Sequence, residues 1–315
     1  MHAIPFADAV SVNRLLAFPA LVDALRDAFL NPPIAPERTV ITFGENADQH
    51  FLVMPAVNPR GLIGVKLATV HPALAARPGG AVRALYVALD AATGDPRAII
   101  DGPALTERRT AAASVLAART LARPDASTLL VVGTGQVGHA LCRCYAAVLK
   151  PERILVWGRR PEAADVMARQ LSGEGIAVQV AADLDAAVGQ ADIVSVATLS
   201  GEPLVRSASV RPGTHIDLVG GFTPTMREAD NAVMARARVV ADGPGALDTA
   251  GDLVQPIEAG ALRREDIALL PDVLAGRAKG RAGADDVTVF KSVGLALEDL
   301  AAAELLLSLR DALNP

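Results

Sequence analysis

Three glycines with the spacing G-x-G-x-x-G follow an apolar run and give the strongest chemical signal in the sequence. The run is Thr128 to Val132, and Gly133, Gly135 and Gly138 come next. A short β-branched run is typical of a strand buried in a parallel sheet, and residues 139–149 then have a helical pattern. In this context the glycines permit a tight turn, close approach of a pyrophosphate, and packing of helix on strand. The segment therefore predicts a dinucleotide site, with phosphate at the helix N-terminus.

The end of the next predicted strand bears on the type of dinucleotide. Residues 153–157 are apolar, and Gly158, Arg159 and Arg160 follow without an Asp or Glu between 157 and 161. An acid here would bind the ribose 2′-hydroxyl, whereas arginine accommodates a 2′-phosphate. We therefore expect NADPH, with NADH possible; the alternative is that the arginines are only a solvated strand end. The predicted nucleotide contacts are Gly133, Gly135, Gln136, Val137, Gly138, Gly158, Arg159, Arg160 and Thr198.

Three cations outside the glycine segment could bind an acidic substrate. Lys66 lies in an apolar strand, GVKLATV, where a desolvated ammonium could donate a proton or pair with a carboxylate. Arg38 begins a strand, and Arg109 precedes an alanine-rich helical run. For each of them the alternative is a solvated surface position, which for Lys66 would be on an edge strand.

The elements around these residues indicate two domains. Residues 1–122 mix helices and short strands, with one helix predicted over 11–29, whereas strands and helices alternate after Thr128. Residues 295–313 form a long Ala/Leu helix that must be buried. We predict an α/β protein with a central, doubly wound Rossmann sheet at 123–287. Residues 1–122 with 288–315 form an α+β substrate and dimerisation domain, and ligands are expected in the cleft between the domains.

Composition excludes several other classes of protein. The 315 residues are 51% hydrophobic, carry a formal net charge of -5, and show no basic stripe with interleaved aromatics, which argues against nucleic acid. Cys142 and Cys144 point to different sides of a helix, and the histidines are isolated, so neither a disulfide nor a metal site is expected. The N-terminal residues lack a signal-peptide pattern and no membrane span is evident, so we expect a cytoplasmic protein.

Five segments, in order along the chain, resemble the ornithine cyclodeaminase/mu-crystallin family. They are HFLVMPA (50–56), GVKLATVHP (64–72), LTERRTAAAS (105–114), VVGTGQVG (131–138) and TVFKSVGLALEDLAAA (288–303). The resemblance implies a homodimer with a Rossmann domain and a split dimerisation domain. It also implies that Arg38, Lys66 and Arg109 contact a substrate carboxylate, with Thr69 as a weaker candidate.

The sequence departs from the cyclodeaminases at one informative place. Residues 219–230 read VGGFTPTMREAD, and Phe222 stands where the cyclodeaminases carry an aspartate implicated in proton transfer. This form resembles the family members that reduce cyclic imino acids, Δ1-pyrroline-2-carboxylate to L-proline and Δ1-piperideine-2-carboxylate to L-pipecolate, with Phe222 as an apolar wall for the ring. Plain loop packing is the alternative for Phe222.

We therefore expect an NAD(P)H-dependent imine reductase acting on CH–NH donors. Arg38, supported by Arg109, would bind the substrate carboxylate, and Lys66 would bind it too or protonate the imine nitrogen. Three alternatives remain: an ornithine cyclodeaminase, an alanine-type dehydrogenase, and a mu-crystallin-like NADPH-dependent binding protein.

Overall fold

A computed structural model describes residues 4–45, 48–74 and 81–313 of the chain. It contains two compact units, one formed by Met1–Arg109 with Leu295–Pro315 and the other by Thr110–Gly294. Both are built from helices and strands, which we number along the chain.

The described strands are β1 (Phe6–Ala7), β2 (Thr39–Phe43), β3 (Gln49–Val57), β4 (Leu62–Val70), β5 (Val82–Asp90), β6 (Pro96–Asp101), β7 (Thr128–Val132), β8 (Arg153–Trp157), β9 (Gln179–Val180), β10 (Ile193–Val196), β11 (His215–Leu218), β12 (Arg238–Ala241), β13 (Ala268–Leu269) and β14 (Thr288–Lys291). The described helices are α1 (Ala9–Leu15), α2 (Phe18–Leu30), α3 (Gly102–Leu121), α4 (Gln136–Val148), α5 (Pro161–Gly173), α6 (Leu184–Val188), α7 (Asn231–Arg236), α8 (Ala246–Thr249), α9 (Gly251–Glu258), α10 (Leu270–Leu274) and α11 (Ala296–Leu313).

The first unit is a mixed sheet with helices on one face. Its strands lie in the order β1-β6-β5-β4-β3-β2, antiparallel except for the β1–β6 pair. Alternate residues of β4 are buried, and α11 packs on β3, β4 and α2. The apolar composition of α11 is explained by this packing, because Leu300, Ala302 and Leu306 are all buried within the same unit.

One predicted helix of this unit is divided in two. The sequence pattern predicted a single helix over residues 11–29, but α1 ends at Leu15 and α2 begins at Phe18. Pro19 explains the break, because it has no N–H to continue the hydrogen-bond ladder of α1 and instead occupies the first turn of α2.

The second unit is the predicted Rossmann sheet, and the predicted fold class is confirmed. Its parallel strands lie in the order β13-β12-β14-β11-β10-β7-β8-β9. From β7 the chain runs outward through β8 and β9, and then returns to β10 on the other side of β7. The point between β7 and β10 is where strand order reverses, and nucleotides bind at the carboxyl ends of the strands at such a point.

Both domain boundaries differ from the predicted ones. The first lies at 109/110, within α3, rather than at 122/123. The second lies at 294/295 rather than 287/288, because β14 is inserted between β11 and β12 of the Rossmann sheet. All four residues of β14 are buried, so this segment belongs to the Rossmann core and only α11 returns to the first unit.

Two further sequence features are described by the structure. Cys142 and Cys144 are both buried on α4 and neither is in a disulfide. Within the described ranges no helix has the length and apolarity needed to cross a membrane.

Candidate functional site

The glycines after β7 have the geometry that a dinucleotide needs. Gly133 has φ +121°, and a Cβ there would overlap the carbonyl oxygen of Ala197. A Cβ at Gly138 would overlap the carbonyl oxygen of Gly133, so α4 packs directly on the turn. By contrast, a Cβ at Gly135 would have no neighbour within 4 Å. The second glycine therefore faces open space, where a pyrophosphate could approach the backbone.

The N-terminus of α4 adds the electrostatic part of this site. Gly135 is the N-cap residue and provides no side-chain cap, so the amide groups of Gln136, Val137 and Gly138 have no side-chain acceptor from the cap position. Unsatisfied amides at a helix N-terminus, together with the helix dipole, favour a bound anion. The residues present therefore fit a dinucleotide phosphate.

The segment after β8 lies next to this turn. A Cβ at Gly158 would be 2.6 Å from the Thr134 methyl carbon, so glycine keeps the end of β8 close to the glycine turn. Arg159 and Arg160 follow and are exposed, and Arg160 is the extended N-cap residue of α5. Two guanidinium groups are therefore exposed at this strand end.

Thr198 follows β10 and is held by a buried carboxylate. Its backbone N–H and its hydroxyl donate to Oε1 of Glu228, at 2.7 and 2.8 Å. Burial raises the pKa of Glu228 to about 7, against the effect of Lys291 and the Thr198 hydrogen bonds. Sequence reasoning missed Glu228. The signal that could have found it is a glutamate within a glycine-rich segment, because a carboxylate buried there must accept hydrogen bonds from several N–H or O–H groups.

A buried cluster of four charges forms a second candidate site, within the first unit. Nζ of Lys66 lies 2.7 Å from Oδ2 of Asp299, and both side chains are buried. Nε of Arg109 donates to Oδ1 of Asp299 at 3.0 Å, and Nη1 donates to Oε2 of Glu298 at 2.8 Å. The structure therefore brings Lys66 and Arg109 together in one cluster. Asp299 is the acceptor that they share.

Burial controls the ionisation of this cluster. It lowers the pKa of Lys66 to about 8, because desolvation outweighs the attraction of Asp299. The positive charge of Arg109 lowers this pKa further. The pKa of Asp299 is lowered, since Lys66 and Arg109 together overcome the effect of burial. The ammonium is thus protonated at neutral pH, yet it releases its proton far more readily than an exposed lysine.

Asp299 and Glu298 were not predicted as site residues, although their segment carried part of the family resemblance. Both are completely buried at the N-terminal end of α11. The signal that could have found them is an adjacent Glu-Asp pair in a helix that is otherwise mostly alanine and leucine. Acidic side chains are almost never fully buried unless they are paired.

Strand alternation places Arg38 and Thr69, two further predicted substrate residues, on different faces of the sheet. Met54, Lys66, Tyr86 and Ile100 form one cross-strand row on the covered face of the sheet. Arg38 precedes Thr39, which pairs with Val53, so extending the register by one residue places Arg38 opposite Met54 in this row. Thr69 is three residues from Lys66, and its side chain therefore projects from the opposite face. The prediction that Thr69 joins Lys66 at one substrate site is not supported by this register.

Phe222 lies in the other unit. It follows Gly220 and Gly221, just after β11, and is half-buried. The neighbouring Gly221 N–H donates to Oε2 of Glu228 at 3.4 Å. Phe222 is thus at the carboxyl edge of the Rossmann sheet, the same edge as Thr198 and the glycine turn.

A comparison with protein families identifies the group to which this sequence belongs. The model of the ornithine cyclodeaminase/mu-crystallin family matches residues 4–309. The chain belongs to this family. The resemblance carried by the five sequence segments is thereby confirmed.

Individual known proteins are similar over nearly the same length. The Δ1-pyrroline-2-carboxylate reductase of Paracoccus denitrificans is 41% identical over 279 residues, which are 88% of this chain and 84% of that protein. The solved structure of Thermococcus litoralis Δ1-pyrroline-2-carboxylate reductase with NADH and L-proline has a TM-score of 0.92 at 29% identity, covering 99% and 98% of the chains. An archaeal alanine dehydrogenase dimer with bound NAD has a TM-score of 0.91 at 26% identity, covering 99% and 97%.

Proposed function

We propose that this protein is an NAD(P)H-dependent reductase of cyclic imino acids. In the reaction, a hydride adds to C2 of Δ1-pyrroline-2-carboxylate or Δ1-piperideine-2-carboxylate and a proton adds to the ring nitrogen. The products are L-proline or L-pipecolate and the oxidised coenzyme. A bound nicotinamide coenzyme supplies the hydride, so the protein's own side chains must bind the acid and manage the proton.

The buried Lys66–Asp299 ion pair is the observation that carries this proposal. A protonated C=N is far more electrophilic than a neutral one, and Lys66 is an ammonium whose pKa of about 8 suits proton transfer near neutral pH. Asp299, at 2.7 Å, orients the ammonium and stabilises its charge. Arg109 holds the other oxygen of Asp299, so in this proposal it supports the proton donor.

The charge balance of the cluster favours Arg38 as the main partner of the substrate carboxylate. Lys66 and Arg109 contribute two positive charges, and Glu298 and Asp299 contribute two negative ones. An incoming carboxylate adds a negative charge, and a further cation is needed to compensate for it in a desolvated site. Arg38 belongs to the same cross-strand row, and its planar guanidinium can bind a carboxylate through two hydrogen bonds.

Phe222 supports reduction of a ring over cyclisation of ornithine. A phenyl ring provides an apolar contact for the methylene groups of a cyclic substrate, and it cannot accept a proton from an amine. The likeness to pyrroline-2-carboxylate reductases, 41% identical in one case, supports the same choice of substrate class. An alanine-type dehydrogenase is the second candidate, favoured by the fold similarity to the archaeal enzyme.

The coenzyme is proposed to bind the glycine turn in its reduced form. Solved relatives hold NADH or NAD, which supports a nicotinamide dinucleotide in general. Arg159 and Arg160 support a preference for NADPH, because arginine can pair with a 2′-phosphate. This preference, like the cytoplasmic location, stays a prediction.

We also propose that two copies of the chain associate through the outer face of the first unit's sheet. The face opposite Lys66 is apolar and only partly covered, with Leu85 47% and Ile41 50% exposed. Contiguous apolar surface of this kind marks an interaction site. A second copy is the occupant that we propose, since the similar archaeal alanine dehydrogenase is a dimer. The residues of this outer face are Ile41, Phe51, Val53, Val65, Leu67, Leu85, Val87 and Ile99.

An assay of NADPH and NADH oxidation tests the proposed reaction. The substrates are Δ1-pyrroline-2-carboxylate, Δ1-piperideine-2-carboxylate, and pyruvate with ammonia; ornithine is tested separately with NAD. We expect rapid oxidation with a cyclic imine only. Turnover with pyruvate and ammonia alone would instead identify the alanine-type enzyme, and ammonia release from ornithine would identify a cyclodeaminase.

A further inference from the structure

The carboxylate of Glu228 connects two loops of the Rossmann unit. Oε1 accepts from the N–H and the hydroxyl of Thr198, at 2.7 and 2.8 Å. Oε2 accepts from the N–H groups of Gly220 and Gly221, at 2.8 and 3.4 Å. Thr198 follows β10 and Gly220 follows β11, so one side chain binds the ends of two adjacent parallel strands.

The two loops are in direct contact at this point. A Cβ at Gly220 would overlap the backbone of Thr198, so only glycine allows the approach. The carboxyl ends of β10 and β11 belong to the edge of the sheet at which the glycine turn also lies, and ligands of doubly wound sheets bind there. Displacement of either loop would therefore alter the coenzyme site.

A second layer of buried charge holds Glu228 in place. Oδ1 of Asp252 accepts from the N–H groups of Glu228 and Ala229, at 2.7 and 3.1 Å. Nζ of Lys291 lies 3.2 Å from Oδ2 of Asp252. The side chains of Glu228, Asp252 and Lys291 have no exposed surface. When both acids are ionised the group carries one negative charge more than positive.

Burial is the main reason why Glu228 is easily protonated near neutral pH. Burial raises its pKa to about 7, the proximity of Asp252 raises it too, and Lys291 opposes the rise. Asp217 interacts with the same ammonium of Lys291. The neighbouring Arg227 directs its guanidinium to the carbonyl of Ala229 and to side-chain oxygens of Gln255 and Asn231.

We propose that ionised Glu228 is a positioning residue for the coenzyme, holding the Thr198 and Gly220–Phe222 loops together, and that its protonation releases one of them. The reason is the number of N–H and O–H groups that donate to this carboxylate. Four hydrogen-bond donors face two oxygens, and an ionised carboxylate can only accept. A protonated carboxyl group turns one oxygen into a donor, which then faces donors of Thr198 or of the glycines. The inference rests on the proposed binding of nucleotide to this unit.

Titration of NADH and NADPH by fluorescence, between about pH 6 and pH 8, tests the inference. For the unaltered protein we expect coenzyme affinity to fall by roughly tenfold as the pH decreases through about 7. E228Q keeps the shape of the side chain but always presents an amide N–H₂ to one loop. It should bind weakly at every pH, with a flat profile. E202Q, at an exposed glutamate of the same region, should reproduce the unaltered profile.

Two more variants should shift the midpoint of the pH profile in opposite directions. They keep the inference testable if E228Q fails to fold. K291M removes the charge that opposes protonation of Glu228, so the midpoint should move to higher pH. D252N removes the charge that promotes protonation, so the midpoint should move to lower pH. A pH-independent affinity of the unaltered protein, wild-type binding by E228Q, or a downward shift in K291M would each overturn the inference. Absence of any NADH or NADPH binding by the unaltered protein would overturn the proposed function as well.

Discussion

Lys66 and Asp299 form an ion pair of 2.7 Å between two buried side chains, one on β4 and the other on α11. The pair joins a strand of the N-terminal segment to the helix that ends the chain. The contribution of the pair to stability depends on both partners. Removal of one partner of a buried pair leaves an uncompensated charge and lowers the free energy of unfolding by roughly 3–5 kcal/mol.

The pH profile of imine reduction should depend on Lys66. Its pKa is lowered to about 8 by burial, so the protonated form that our mechanism requires is lost as the pH rises through 8. We expect kcat/KM to fall on the alkaline side accordingly. In D299N the charge that raises the Lys66 pKa is absent, and the alkaline fall should begin at lower pH. The substrate's own ionisation is the same for both proteins, so an unchanged profile in D299N would contradict the role of the pair.

Lys66→Met should separate chemistry from coenzyme binding. Methionine has a similar length but no proton to donate, and general acids contribute roughly 10²- to 10⁴-fold to a rate. We expect kcat to fall by this amount while NADPH affinity, measured by fluorescence titration, stays within about twofold of the original. Normal turnover in this variant would remove Lys66 from the mechanism.

Arg159→Asp tests the proposed preference for NADPH. The change places a carboxylate where we expect the 2′-phosphate, so the KM for NADPH should rise by about tenfold or more, equivalent to ~1.4 kcal/mol, while the KM for NADH changes little. Arg153, at the start of the strand that Arg159 follows and hydrogen-bonded to Gln179 and Gln190, provides a matched control as R153D. Equal losses for both coenzymes in R159D would count against the 2′-phosphate contact.

Alanine at Gly135 and at Gly138 should have different consequences. A Cβ at Gly138 overlaps a backbone oxygen, so G138A should lower the free energy of unfolding by about 1–3 kcal/mol, as measured by urea denaturation. A Cβ at Gly135 would have no heavy atom within 4 Å beyond the adjoining residues. G135A should therefore fold normally and lose coenzyme affinity. A G135A protein that binds NADH normally would argue against a pyrophosphate at this glycine.

Leu85→Glu tests association through the outer face of the first sheet. A charge introduced into an apolar interface lacks a partner, and we expect the dimer dissociation constant to rise by roughly 10²-fold or more. Sedimentation equilibrium measures the change. Val10 is 73% exposed on α1, so V10E is a matched control that should leave the oligomeric state unaltered. A protein that is monomeric before any substitution would overturn the proposed association.

The conformation of the glycine turn could be predicted because its signal is local. Thr128 to Gly138 contains the strand, the turn and the start of α4, and the reasons for each glycine lie within about ten residues or in the adjoining strand. Long apolar strands and the buried helix α11 were recognisable for the same reason: period and composition are properties of a short segment.

The charge clusters could not be predicted in this way, since their members are far apart along the chain. Lys66 meets Asp299, and Asp252 meets Lys291 and the backbone of Glu228, only because strands and helices from distant segments are packed together. A sequence lists such acids and bases without their distances, and ionic interactions depend on distance and desolvation. The geometry of the glycine turn was thus determined by the sequence itself, whereas tertiary packing decided which carboxylates are paired with Lys66 and Lys291.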